Sequence, residues 1–380
     1  MRILSIACES FRNLAPLRLE PHPGFNIIEG KNGQGKTNLL EVIYVMATLR
    51  SFRETRLRNL IGWDQDGAWI RSEVQRDGVD RNLAVELRSD GRRASLDGNK
   101  VRRLSDYFGH FHVVFFGPDD LSLTKGGPAG RRRFIDRAIF NVEPVYLQEV
   151  NDYLKALRHR NDLLRSGADR DVLASFDQAV ISRGARILWR RSTFLQSFRP
   201  LFEEVFGQIT DGQHKVSTSY QGLVSVDEPV SESDFEGLLA ARLESSLKRD
   251  QRRGHTGDGP HMDDLVFHLD EHPARQHASQ GQHRAFALSL KIAEMQYAKE
   301  ALGSDPVLLL DDVSSELDRE RNALLMRYLD QSGGQVFITT TDRSWIQITA
   351  RSKVFQVDQG QVNEEDDDGG DVSQTSPYSA

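Results

Sequence analysis

The residues best suited to chemistry form a glycine-rich stretch near the N-terminus, which reads Gly30-Lys31-Asn32-Gly33-Gln34-Gly35-Lys36-Thr37. The apolar segment Phe25-Asn26-Ile27-Ile28 precedes it and a helical pattern follows, which predicts a strand, a loop and a helix. Glycines at these spacings let successive backbone N–H groups close around a triphosphate, and the positive end of the following helix points at the same anion. We therefore expect residues 30–38, with Asn38 as the last, to bind a nucleotide. Lys36 would lie between the β- and γ-phosphates and Thr37 would place its hydroxyl on Mg²⁺. The alternative is a glycine turn that merely caps a helix.

A second group of candidate catalytic residues follows an apolar segment in the C-terminal part of the chain. Val307-Leu308-Leu309-Leu310 ends in Asp311 and Asp312. The pattern predicts a buried parallel strand, and such a strand delivers its last side chains to the sheet edge where α/β proteins bind ligands. We expect Asp311 to coordinate Mg²⁺ through water, and Asp312 to orient the attacking water or accept its proton. Asp312 and Lys36 are therefore the candidate catalytic residues.

A third candidate site begins with Ser279-Gln280-Gly281-Gln282, which opens another helical pattern. Ser279 and Gly281 at a helix N-terminus could form a second anion site, although an N-cap explains the same residues without any ligand. The two aspartates are followed by Ser314-Ser315-Glu316-Leu317-Asp318. The order of these four motifs along one chain is the most distinctive feature of the sequence.

The elements that must position these residues come from both ends of the chain. Residues 1–118 contain the glycine loop and then three alternating segments joined by Asp-Gly turns, which predict an antiparallel meander. Apolar residues seven apart over 173–206 predict one long helix or two, packed lengthwise on a partner helix over 146–164. The sequence thus predicts an α/β nucleotide-binding head, formed by residues 1–118 and 260–362, with a helical arm inserted at residues 119–259. An acidic tail follows at residues 363–380.

Composition limits the class of protein. Of the 380 residues, 38% are hydrophobic and 28% are charged, which is typical of a soluble globular protein. No apolar segment approaches the length of about 20 residues that spans a bilayer, and the single cysteine, Cys8, excludes an internal disulfide. We therefore expect a cytoplasmic protein with no membrane partner.

The net charge of −7 comes mainly from the tail, which holds six acidic residues and no Lys or Arg. The body is therefore close to neutral, and nucleic acid would have to bind a local basic patch. Candidate phosphate contacts are Arg131, Arg132 and Arg133 and, separately, Arg190-Arg191 and residues 248–253. A solvated helix face is the alternative for each cluster. The tail is most simply a disordered, solubilising end.

Taken together, the motifs resemble the heads of ABC-type ATPases, in which the serine helix of one subunit caps the nucleotide of another. Within that superfamily the chain resembles the RecF recombination and repair proteins, which are similar to SMC heads but carry only a short arm. Three stretches carry this resemblance. They are residues 26–53, residues 118–136 with Pro-Asp-Asp-Leu and Arg-Arg-x-Phe-Ile-Asp, and residues 310–318, with Gly259-Pro260-His261 and residues 279–282 before them.

The resemblance implies a protein that binds ATP and Mg²⁺, dimerises head to head with ATP, and binds single-stranded DNA and single-/double-stranded junctions. It also implies a RecR-type partner and a role in loading recombinase at gapped DNA. Asp312 stands where most ABC heads have Glu, Thr341 stands where most have a switch histidine, and no glutamine follows Val113-Phe116. We therefore expect slow hydrolysis that resets the dimer, a weak DNA-dependent ATPase activity.

One alternative within the same fold is an SMC-like head of other function. Two alternatives from other classes of protein fit the sequence less well. The ATP-coupling subunit of a transporter would need a membrane partner and a glutamine loop. An ATPase–nuclease of the overcoming-lysogenisation type would need an acidic catalytic domain after the head.

Overall fold

The computed structural model describes residues 1–103, 106–222, 231–313 and 317–365. In these residues two six-stranded sheets and the helices beside them form a head, and long helices with a three-stranded sheet form an arm. The predicted α/β head with an inserted helical arm is therefore confirmed. None of the described helices combines the length and the apolar character needed to cross a membrane.

The first six-stranded sheet positions the candidate nucleotide site. Its strands are β3 (Phe25–Glu29), β8 (Val113–Phe116), β12 (Val307–Asp311), β13 (Val336–Thr340), β14 (Ser352–Asp358) and β15 (Gln361–Glu364), in the order β15-β14-β3-β13-β12-β8. Every neighbouring pair is parallel except β14 with β15. Because β8, β12 and β13 are buried along their whole length, each begins with an unbroken apolar run, and only the last residues of β12 and β13 are polar. The carboxyl ends of the parallel strands meet at one edge.

The second six-stranded sheet is the predicted meander. Its strands are β1 (Arg2–Glu9), β2 (Leu17–Leu19), β4 (Gly67–Arg76), β5 (Val79–Arg88), β6 (Gly91–Leu96) and β7 (Asn99–Lys100), in the order β2-β1-β4-β5-β6-β7, all antiparallel. The turns at Asp77-Gly78 and Asp97-Gly98 have positive φ at both residues, as a two-residue hairpin turn requires. Burial alternates along β4 and β5, so one face of the sheet packs on the head core and the other faces solvent.

Helix α1 (Lys36–Thr48) packs between the two large sheets and shares one hydrophobic core with both. The other α-helices among the described residues are α2 (Pro128–Val142), α3 (Tyr146–Ser166), α4 (Arg170–Ile209), α5 (Glu232–Arg253), α6 (Ala274–His277), α7 (Gln280–Leu302) and α8 (Arg319–Ser332). α4 is a single helix of 40 residues, about 60 Å long, and α3 packs along it as predicted.

The arm and the head share α4. Its phenylalanines 194, 198, 202 and 206 contact one another in succession, and the last two also contact Phe286 of α7 in the head. The third sheet, in the order β11-β10-β9, joins β9 (Val216–Gln221) of the arm to β10 (Asp264–Leu269) and β11 (His272–Pro273). The predicted boundary at residue 259 therefore falls just before a strand that pairs with the arm.

The predicted start of the acidic tail needs one correction. Glu364 pairs with Phe355, and Asn363 pairs with Gln356, so both residues belong to β15 and the head sheet ends at least two residues later than predicted. Residues 366–380 of the tail, and residues 314–316 of the Ser-Ser-Glu motif, lie outside the described residues.

Candidate nucleotide site

The glycine loop lies between β3 and α1, and its shape requires glycine at three places. Gly33 and Gly35 have φ of 81° and 121°, left-handed conformations that strain a residue with a Cβ. Gly30 is required for another reason, because a Cβ there would lie 2.3 Å from the carbonyl oxygen of Val357 in β14. The loop therefore lies against β14, and its turns fall at positions where only glycine fits without strain.

Lys36, the first residue of α1, folds back over this loop. Its Nζ donates to the carbonyl oxygens of Gly30 at 2.7 Å and Lys31 at 3.1 Å. Burial lowers the pKa of Lys36, while the carboxylates of Asp312 and Asp311 act in the opposite direction. α1 has no side-chain cap and no acidic residue in its first turn. Its positive N-terminal end therefore borders the same space as the Lys36 ammonium.

Thr37 and Asp311, which the sequence predicts as metal ligands, meet directly. The Thr37 hydroxyl donates to Asp311 Oδ1 at 2.8 Å, and the hydroxyl of Thr339 in β13 donates to the same oxygen at 2.9 Å. Burial raises the pKa of Asp311, and the two hydroxyls counteract this only in part. The result is a desolvated carboxylate held beside a hydroxyl, two oxygen donors of the kind that Mg²⁺ prefers.

Asp312 follows the last residue of β12 and has a left-handed φ of 51°. Its backbone N–H donates to the Thr339 hydroxyl at 2.8 Å, which links the turn at Asp312 to the residue that also holds Asp311. This turn directs consecutive aspartates differently: Asp311 bonds Thr37, while the side chain of Asp312 lines the cleft beyond it.

The cleft at this edge has a volume of about 270 Å³. It is lined by Asn32, Gly33, Gly35, Lys36, Thr37, Asn38, Arg53, Asp311 and Asp312. The other predicted loop residues, Gly30, Lys31 and Gln34, take part through their carbonyl oxygens. Nearly all of the predicted nucleotide-binding residues are thus brought together in one place.

Arg53 lines the cleft although the sequence motifs did not identify it. Its guanidinium donates to Asn38 Oδ1 at 3.4 Å, and Asn38 donates in turn to Asn13 Oδ1 at 2.6 Å. A signal was present, since Arg53 ends the Ser-Phe-Arg segment shortly after the helix that begins at Lys36. Asn13, by contrast, lies in a loop after β1 and reaches the site only through the fold.

A hairpin at the far end of the chain supports the glycine loop from behind. The Gly360 N–H donates to the Gln34 carbonyl at 2.9 Å, and the Gln359 N–H donates to the Gln34 side chain at 2.5 Å. Gly360 has φ of 81°, and a Cβ there would lie 1.9 Å from the carbonyl oxygen of Asn13. The turn between β14 and β15 therefore supports the glycine loop of the candidate nucleotide site.

Ser279 and Gly281 are not among the residues that line this cleft. Ser279 caps α7: its hydroxyl accepts from the Gln282 N–H at 3.2 Å, and the Gln282 side chain accepts from the Ser279 N–H at 2.7 Å. The Gln282 amide also contacts His214 Nε2 at 3.1 Å, and His214 Nδ1 lies 2.7 Å from Asp270. The N-cap that was the alternative to an anion site is therefore present, and its Gln282 is held by residues from two other segments.

The structure holds most of the arginine cluster at 131–133 within the fold. Arg131 is buried and forms a two-pronged ion pair with Asp264 of β10, each N···O distance being 2.7 Å, which favours a structural role over the predicted DNA contact. Arg132 is half-buried and donates to the Asp263 carbonyl at 2.6 Å. Arg133 is exposed and stays a candidate. The Arg190-Arg191 pair is likewise engaged, since Arg191 is buried against Asp136 and Arg190 forms ion pairs with Glu143 and Glu149.

A buried cluster of charged side chains connects the end of β8 and helix α2 to α7. Asp120 accepts from Arg137 of α2 at 2.7 Å and from the Gly117 N–H at 3.0 Å. Lys291 of α7 pairs with Glu294 and lies 3.9 Å from Asp120. The end of β8, the first arm helix and the helix that begins after Ser279 are therefore joined by ion pairs in the interior.

Comparison with known proteins agrees with this geometry. The family model described as the RecF/RecN/SMC N-terminal domain matches residues 2–363. The DNA replication and repair protein RecF of Anaeromyxobacter dehalogenans is 44% identical over 354 residues, covering 92% of this chain and 95% of that protein. RecF of Myxococcus xanthus is 43% identical over 362 residues, covering 94% and 95%.

Solved structures give the same assignment. The structure described as the recombination mediator protein RecF-ATPrS in the RecFOR pathway superimposes with a TM-score of 0.88 at 32% identity, covering 96% of this chain and 98% of that one. An Smc head domain from Pyrococcus furiosus, with a TM-score of 0.53 at 15% identity, shares the fold. By the family model, the relatives and the phosphate-loop geometry together, this chain belongs to the RecF family of DNA replication and repair proteins.

Proposed function

We propose that this chain is an ATP-controlled DNA-binding protein of recombinational repair, in which two subunits close on shared nucleotides. The observation that carries this proposal is the convergence of Lys36, Thr37 and Asp311 on one cleft beside the positive end of α1. Such a site holds a triphosphate through backbone N–H groups and one lysine. The relatives described as RecF-ATPrS and RecF-ATP support ATP as the nucleotide.

The Thr37 hydroxyl and the Asp311 carboxylate fit Mg²⁺, which takes oxygen ligands and substrate phosphates. When bound, Mg²⁺ would neutralise charge on the phosphates. The chain's own part is to hold Asp311 ionised in a desolvated position through Thr37 and Thr339, and to place the Asp312 carboxylate where it can orient water. With aspartate in this role, slow hydrolysis suits a switch that resets the dimer.

Closure by a second subunit explains why Ser279 and Gly281 lie away from the cleft of their own chain. α7 is 23 residues long and its first turn has no acidic residue, so its N-terminal end favours an anion. In a symmetric dimer each chain would offer this end to the γ-phosphate held by Lys36 of the other. ADP lacks that phosphate and would favour the closed state less.

The DNA-binding and partner parts of the proposal rest on the family. The relatives are described as DNA replication and repair proteins, and one solved relative is described as a mediator in the RecFOR pathway. We therefore propose single-stranded DNA and single-/double-stranded junctions as ligands of the ATP-bound dimer. A RecR-type protein is the proposed partner in recombinase loading.

Sedimentation with a slowly hydrolysed ATP analogue, with ADP and without nucleotide tests the proposal. Wild-type protein should shift to dimer only with the analogue. Ser279→Arg should bind the analogue yet stay monomeric, because a bulky side chain would block the approach of the second subunit. Ser245→Arg, on an exposed face of α5, is the matched control and should dimerise normally. A Ser279→Arg protein that dimerises with the native midpoint refutes the shared site.

A further inference from the structure

The solvent-facing side of the antiparallel sheet carries a row of residues that crosses all six strands. The register places Arg18 of β2 opposite Ala7 of β1, and Ala7 opposite Arg71 of β4. Arg71 then pairs with Ala84, Ala84 with Ser95, and Ser95 with Lys100 of β7. Directly opposed residues of antiparallel strands point to the same face, so three cations and three small residues share one line. With strands about 4.8 Å apart, the line is about 24 Å long.

The three cations of this row have no partner within the part of the chain that the structure describes. Arg18, Arg71 and Lys100 are exposed and form no ion pair or side-chain hydrogen bond there. No acidic residue occurs in the row itself. In the two flanking rows of the same face, Glu86 is engaged by Arg88 and Arg93, Glu9 lies opposite Trp69, and Glu73 lies opposite Asn82. The row is therefore positively charged, although the whole chain carries −7.

The middle of the row lies in a groove with an aromatic wall. A cleft of about 460 Å³ opens over this face, and its lining includes Trp69, three cations (Arg71, Arg93 and Lys100) and one carboxylate, Glu86, which is paired with Arg93. Ala84 and Ser95 also line this cleft, and their small side chains take up little of its depth. Trp69 is only half-buried on the outer face of β4, two residues from Arg71. An indole beside arginines and a lysine, on an open sheet, is the combination that stacks bases and attracts phosphates.

We infer that this face, defined by Arg18, Arg71, Lys100 and Trp69, binds single-stranded DNA. The row supplies phosphate contacts that carry no sequence information, and Trp69 supplies a stacking surface that accepts any base. The assignment rests on the proposed function, since it names where a DNA-binding member of this family takes hold of the strand. It is a separate surface from the arginine cluster at 131–133, of which only Arg133 is exposed.

The test measures binding of a fluorescent oligothymidylate of about 20 nucleotides by anisotropy, with the ATP analogue present, over a range of salt. The triple variant Arg18→Ala, Arg71→Ala, Lys100→Ala should bind at least about tenfold more weakly. Its slope of log affinity against log salt should fall by up to about 2 units, at about 0.7 per lost contact. Trp69→Ala should weaken binding at least about fivefold with an unchanged slope, and Trp69→Phe should recover most of the loss.

Matched removal of three other exposed cations is the control. Lys155→Ala, Arg158→Ala, Arg327→Ala changes the net charge equally and should leave the slope almost unaltered. All variants should keep the wild-type Tm and affinity for the ATP analogue. If wild type binds the oligonucleotide and the row variant binds it with the same affinity and slope, the inference is wrong and the proposed function stands. Equal losses for duplex DNA would also overturn it as a single-strand site, whereas a wild type that binds no DNA would defeat the proposed function itself.

Discussion

Asp311, a candidate metal ligand, is buried at a cost to the free energy of unfolding. Burial raises the pKa of its carboxyl, so between the ordinary and the raised value the folded protein holds a proton that the unfolded chain has released. Its contribution to the free energy of unfolding therefore declines as the pH rises through that window, and ionised Asp311 destabilises the nucleotide-free protein at neutral pH.

Asp311→Asn should consequently raise the stability of the nucleotide-free protein at pH 7. The Asn oxygen can still accept from Thr37 and Thr339, while the desolvated charge is gone. We expect a gain of roughly 0.5–1 kcal/mol, with affinity for Mg²⁺ and ATP reduced by about tenfold or more. Thermal unfolding from pH 4 to pH 8 checks the sign. A variant that is less stable than wild type at pH 7 would show that hydrogen bonding, and not desolvation, dominates at this position.

Asp312→Asn should separate binding from turnover. The residue lines the cleft without holding the Thr37–Asp311 contact, so ATP affinity should stay within about threefold of wild type while kcat falls about 100-fold or more. The ATP-bound dimer should then persist for longer. Steady-state phosphate release gives the rate and sedimentation gives the dimer lifetime. Asp66→Asn, in an exposed loop, is the control, and native turnover in Asp312→Asn would assign the role to another group.

At the scale of elements, the start of α7 depends on side chains from other segments. Gln282 accepts from the Ser279 N–H, which leaves its NH₂ group to contact His214 Nε2, and this requires that nitrogen to be an acceptor. His214→Ala should loosen the Ser279 cap at a stability cost of about 0.5–1 kcal/mol and weaken ATP-dependent dimerisation about fivefold. Affinity of the monomer for ATP should not change. The exposed His255→Ala is the control in the same sedimentation titration, and an equal dimer midpoint in both variants would contradict this role.

The sequence predicted those features that depend on residues close to one another along the chain. The glycine loop, the Asp-Gly turns and the helical character of residues 173–206 each follow from a local pattern, although that pattern left open whether α4 is one helix or two. Asn13 and Gly360 could not be found this way, because only the fold brings them to Gln34. Three consecutive arginines also look the same in a sequence whether their side chains are buried or exposed. Asp264, 133 residues after Arg131, decides which of the two applies.

For the whole molecule, we expect α4 to make the arm and the head unfold as one cooperative unit. Phe202 contacts Phe198 and Phe206 on its own helix, Phe267 in β10 and Phe286 in α7. Phe202→Ala should lower the free energy of unfolding by about 3–5 kcal/mol and shift unfolding of both parts together. Phe176→Ala, half-buried near the other end of α4, should cost far less. Denaturant titration followed by circular dichroism and by nucleotide release compares them, and a head that unfolds at the native midpoint in Phe202→Ala would contradict the coupling.

The support of Gln34 by Gly360 has a consequence for synthesis on the ribosome. The strand that leads into the glycine loop, β3, pairs with β14, and the loop rests on the turn that follows β14. β3 and the glycine loop therefore cannot complete these contacts until residue 361 has emerged, more than three hundred codons later. A product of premature termination within that interval would lack both the neighbour of β3 and the contact to Gln34. Translation errors of this kind should yield chains that do not compete for ATP with complete subunits.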